Sequence, residues 1–69
     1  MTEEQFFNTI INEWGDRNVY SIQENEIPLL LSFGATQSKN NNGDGTFSTK
    51  LTLRGKTFIC ISVEAINAT

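Results

Sequence analysis

The chain has 69 residues, 38% of them apolar and 19% charged, and carries a net charge of −3 at neutral pH with no histidine and a single cysteine. That length is one small domain that buries only about 60% of its unfolded surface, and the composition excludes the disordered and fibrous classes. Intrachain disulfides, His-bearing zinc sites and His-based catalytic triads are excluded by the residue counts alone.

Thr2 to Trp14 predicts a helix. Thr2 stands where an N-cap is needed and Gln5 follows three residues later, which is capping-box spacing. Glu3 and Glu4 fall in the first turn, where the helix dipole favours negative charge, and Gly15 is a stop signal. Phe6, Phe7, Ile10, Ile11 and Trp14 recur at helical spacing and are expected to form one core stripe.

Val19-Tyr20-Ser21-Ile22 predicts a short strand. Ile27, Leu29, Leu31 and Phe33 then alternate around Pro28, Leu30 and Ser32, which predicts a second strand with Pro28 at an edge or start. A short helix over 26–33, with Pro28 in its first turn, is the rival reading. Gly34 to Gly45 is expected to be a mobile connection rich in Asn and Gly. Thr46 to Leu53 and Lys56 to Val63 are two β-prone runs that form a hairpin around Arg54-Gly55. A three-residue loop, Arg54 to Lys56, is the preferred register because it gathers Phe47, Leu51, Leu53, Ile59, Ile61 and Val63 on one face. A two-residue loop would oppose Leu51 to Phe58 instead. The expected architecture is α+β, an N-terminal helix packed on a small, mostly antiparallel four-stranded sheet in the order α-β-β-β-β, with short connections favouring a meander.

Residues 40–45, Asn-Asn-Asn-Gly-Asp-Gly, resemble the EF-hand calcium loop, with Asn40, Asn42, Asp44 and Gly45 in its first, third, fifth and sixth places. The first place lacks Asp, the twelfth is Leu51 where a bidentate Glu belongs, and a β-prone run follows where a helix should. The segment is therefore read as a turn between strands, and no metal or cofactor is expected. Cys60, between Ile59 and Ile61, reads as a small buried hydrophobe rather than a nucleophile. The pairs Glu3/Glu4 and Glu24/Glu26 read as solvated, and a chain this short has little room for a concave site of several hundred cubic ångströms.

These exclusions leave surface as the means of function. The first 36 residues carry a net −5 and the rest a net +2. Lys50, Arg54 and Lys56 form a basic patch on the hairpin. In the three-residue register Phe58 falls with Cys60 on the sheet face that one helix cannot cover, where Tyr20 and Leu30 are candidate helpers. Phe58, Lys50, Arg54, Lys56 and Tyr20 are accordingly the candidate partner-binding residues. The expectation is a small acidic non-enzymatic interaction module, of the inhibitor, immunity or phage-accessory kind, that blocks or adapts a larger protein partner or pairs with itself. The alternative is a weak single-stranded nucleic-acid binder using the basic hairpin of residues 46–63. No apolar run reaches the ~20 residues of a membrane span and the Met-Thr-Glu-Glu start lacks a leader pattern, so a cytoplasmic protein is expected. Asn67-Ala68-Thr69 fits a glycosylation sequon, which such a protein would not use.

Overall fold

The computed structural model describes residues 1–63; the sequon at 67–69 lies outside them. The first element, α1 (Glu3–Trp14), begins as its sequence dictates. The Thr2 hydroxyl accepts the Gln5 amide at 3.1 Å, and the Gln5 side chain accepts the Thr2 amide at 2.9 Å, so the capping box closes both ways. Gly15, at φ 84°, ends the helix and donates its amide to Ile11. Only Phe6, Phe7 and Ile10 of the expected stripe are buried. Ile11 is half-exposed and Trp14 is 60% exposed, which corrects the assignment of Trp14 to the core. The reason lies beneath the helix: β1 (Val19–Ser21), at the sheet's border, has only three residues and leaves the last turn of α1 without cover.

The segment 24–33 is helical, not a strand. A 3₁₀ turn over Glu24–Glu26 leads into α2 (Ile27–Ser32), with Pro28 in the first turn, where its missing N–H is no loss. Leu30 is fully buried beneath it, so it is core and not a helper at any partner surface. Gly34, at φ 98°, then reverses the chain, and Ala35 donates to the Leu30 carbonyl. The next six residues, expected as loop, form β2 (Thr36–Asn41). All six are exposed, and what makes them a strand is backbone pairing with β3 (Thr46–Leu53), from Thr36 opposite Thr52 to Asn41 opposite Phe47.

β4 (Lys56–Val63) completes a four-stranded mixed sheet in the order β1-β4-β3-β2. β2, β3 and β4 form an antiparallel meander, of which only the β3–β4 hairpin was expected, and β1 joins it parallel to β4 where an antiparallel partner was expected. The fold is thus a small α+β fold, an N-terminal helix followed by a four-stranded sheet, with α2 as an element the expected order lacked. The β3–β4 register corrects the three-residue loop. Leu53 pairs with Lys56 and Leu51 with Phe58, across a two-residue turn in which Arg54 (φ 53°) and Gly55 (φ 74°) both have positive φ. Such turns match the twist of the flanking strands. β3 keeps its expected facing, but β4 shifts by one residue, which moves each of its side chains to the other face.

The core follows from that shift. Phe58 is fully buried, with the rings of Phe6, Phe7 and Tyr20 around it at 5.5–5.9 Å and Leu30 and Leu51 completing the cluster. The radius of gyration is 13.3 Å, against roughly 11 Å for a compact chain of this length. Among the described residues no helix is long and apolar enough to cross a membrane.

Candidate interaction surfaces

The five residues expected at a partner surface separate into three groups. Phe58 and Tyr20 are interior: Phe58 has no exposed surface, and Tyr20 stacks on it at 5.5 Å with its rings 17° from parallel. The Tyr20 hydroxyl donates to the Gly15 carbonyl and accepts the Arg17 amide, which ties the exit of α1 to the sheet. Neither ring is offered to a partner, and the inference that Phe58 marks an external contact is corrected by the register.

Arg54 and Lys56 hold α1 from the turn of the hairpin. Arg54 pairs with Glu3 at the helix start and lies 5.1 Å from the centre of the Phe7 ring. Lys56 donates to the Asp16 carboxylate at 2.6 Å and the Arg17 carbonyl at 2.8 Å, beyond the other end of the helix. The Asp16 carboxylate hydrogen-bonded to it holds the Lys56 ammonium above its ordinary value, against a smaller opposing effect of desolvation. The patch therefore does not converge. Lys50, the remaining member, stands on the opposite face of the sheet, beside Ile59.

Among the described residues nothing covers that opposite face. The residues alternating with the core positions, Val19 on β1 and Ile59, Ile61 and Val63 on β4, form an apolar strip. Ile61 is 61% exposed and Val63 74%, with Val19 half-exposed and Ile59 partly buried. Ser48, Thr46 and Lys50 flank it from β3. The sequence reading expected an apolar uncovered face but named the wrong residues for it, since those of β4 were exchanged. Cys60 is buried on the helix side, opposite Thr49.

The tip between β2 and β3 closes on itself. The Thr46 amide and hydroxyl both donate to Asp44, the Gly43 amide donates to Asn41, and Asn42 bonds Thr46 and Ser48 through its side chain. The calcium-loop oxygens of Asp44 and Asn42 are thus engaged in turn geometry, as Asx side chains commonly are. The Thr46 hydroxyl, followed by its amide, holds the Asp44 carboxyl below its ordinary value of 3.8.

One concavity exceeds what the length suggested. An open groove of about 800 Å³ runs between the last turns of α1 and β1, and its lining includes Ile10, Trp14, Val19 and Ile22. Helical spacing marked Trp14 as apolar, but only the shortness of β1 leaves it on a groove wall. Among the described residues, fold and surfaces together define a small α+β protein with a helical layer, a bare sheet face and a lateral groove. Compared with protein-family models, with curated proteins and with solved structures, the chain matches none.

Proposed function

We propose that this protein is a non-enzymatic interaction module of the inhibitor, immunity or phage-accessory kind, working in the cytoplasm, that docks a larger protein partner through the uncovered face of its sheet. The observation that carries the proposal is the apolar strip of Val19, Ile59, Ile61 and Val63 on a face that no element among the described residues covers. Burying one such side chain contributes about 1.5–3 kcal/mol, less than the cost of association, at least about 4 kcal/mol. Three or four on one face offset it. The same strip permits two copies of the chain to pair. The non-enzymatic part rests on the absence of histidine from the sequence and on the buried Cys60 thiol, with Glu3, Asp16 and Asp44 held by Arg54, Lys56 and Thr46.

Ile61→Asp tests it. The side chain is exposed, so circular dichroism should show an unchanged fold. Cross-linked capture from the native host should lose the protein recovered with wild type, and sedimentation velocity shows whether that protein is a second copy. Equal capture by wild type and Ile61→Asp would refute the proposal.

A further inference from the structure

β1 is a border strand with an open outer side, and its backbone is set to accept a neighbour. Among the described residues it pairs only with β4. Thr57 donates its amide to the Asn18 carbonyl at 2.8 Å, and Ile22 donates to the Ile59 carbonyl at 2.9 Å. These two bonds bracket the parallel ladder and fix its alternation. Tyr20 turns its N–H and C=O toward β4, and Val19 and Ser21 turn theirs outward. The groove is lined by Val19, Tyr20, Ser21 and Ile22 in succession. Neighbouring strand residues point to opposite faces, so a groove touching all four runs along the open edge of the strand.

The facing wall is α1, which offers Phe6, Ile10 and the exposed indole of Trp14. Glu13 and Glu26 also line the groove, and among the described residues neither carboxylate has an ion-pair partner, whereas Glu3 and Asp16 do. Arg17 and Met1, which carries the α-ammonium, also line the groove, but neither is within ion-pair distance of Glu13 or Glu26, so both carboxylates are open to a partner's cation. The other border strand, β2, is longer, but all six of its residues are exposed and polar, and the concavity beside it, which Ile27, Pro28 and Phe47 also line, is about 270 Å³ against about 800 Å³ at β1.

We propose that the groove between α1 and β1 takes an extended segment of a protein partner, added as a further strand on the open edge of β1. Its apolar side chains lie against Ile10 and Trp14, and a Lys or Arg lies beside Glu13 and Glu26. The backbone hydrogen bonds of Val19 and Ser21 give register and the groove wall gives selectivity, as in strand-addition recognition generally. The proposal rests on the interaction-module reading but uses the outer edge of β1 rather than the bare face around Ile61 and Val63, the two surfaces sharing Val19.

The probe is a displayed library of random peptides of about twelve residues, selected on the full chain at about 150 mM salt. The expected winners alternate apolar residues and carry Lys or Arg. A synthetic winner should slow hydrogen exchange at the Val19 and Ser21 amides by more than about tenfold, a signature that adhesion elsewhere does not produce. Trp14→Ala and Ser21→Pro should each weaken it by about tenfold or more, Ser21→Pro by removing an outward N–H that the fold does not use. Glu13→Lys with Glu26→Lys should shift selection to acidic peptides. Ile61→Asp should bind like wild type. No enriched peptide, winners that leave Val19 and Ser21 exchange unchanged, or binding lost with Ile61→Asp but kept with Trp14→Ala would each overturn the groove, and only Ile61-dependent capture bears on the bare-face reading.

Discussion

Phe58 and Trp14 exchange the roles that their neighbours in sequence suggest. Phe58 sits amid Phe6, Phe7 and Tyr20 with no exposed surface. Phe58→Ala is expected to cost about 3–5 kcal/mol, in a chain whose whole stability is roughly 3–10 kcal/mol at 0.05–0.15 per residue. It should be largely unfolded at room temperature by circular dichroism. Trp14→Ala removes a side chain that is 60% exposed, so its melting temperature should stay within a few degrees of wild type. A large drop for Trp14→Ala would mean that the groove is closed by that indole in solution. Asp44 gives a residue-scale pH prediction. Its folded value is held below 3.8 by Thr46, so its contribution is present above the ordinary value and is lost as pH falls through the lower folded one. The carboxyl is exposed, so the effect belongs to the turn. An NMR titration should place the Asp44 midpoint below 3.8, and Thr46→Val should return it toward that value. A wild-type midpoint at or above 3.8 would contradict the Thr46 bonds.

At the scale of elements, the Arg54-Gly55 turn decides which face each residue of β4 occupies. A two-residue turn with both φ values positive puts Phe58 against the helices and Ile61 and Val63 in water. The three-residue turn would have gathered more apolar residues on one face, and that count favoured it in the sequence. Number was the wrong measure, because Phe58 meets the aromatic rings of α1 and Tyr20 while Ile61 and Val63 stand exposed on the opposite face. Near the helices, one aromatic ring at 58 fills the space between Phe6, Phe7 and Tyr20. Gly55→Ala should cost about 1–2 kcal/mol from the left-handed backbone alone, since the space around an added Cβ is open. Stabilisation by that substitution, read from urea unfolding, would show that residue 55 is not left-handed. β2 was missed for a different reason. Thr-Gln-Ser-Lys-Asn-Asn has no apolar residue and no periodicity, and its strand character comes from the amides and carbonyls of β3.

For the whole molecule, charge placement bears on the nucleic-acid alternative. The hairpin's Arg54 and Lys56 neutralise Glu3 and Asp16 on the helix side, and Lys39 lies 5.3 Å from the centre of the Phe47 ring. Lys50 alone of the expected patch stands on the bare face. A chain of net −3 with its cations dispersed in this way should show no submicromolar gel shift with single-stranded DNA or RNA at about 150 mM salt. Tight binding abolished by Lys50→Glu would reverse the order of the two readings.

What the sequence determined by itself is local. The capping box, the stop at Gly15, the extent of the hairpin strands and the fitness of Pro28 for a helix start depend on residues within a turn of one another. So does the burial of Phe6, Phe7 and Ile10 as one helical face. The tertiary structure decided what depends on distant partners: the parallel docking of β1 on β4, the recruitment of a polar segment as β2, and which face of β4 meets the helices. It also decided that Trp14 projects past a three-residue strand while Phe58 disappears beneath the helix. Side-chain periodicity says which residues share a face, but whether that face meets another element or water is set by pairings tens of residues away.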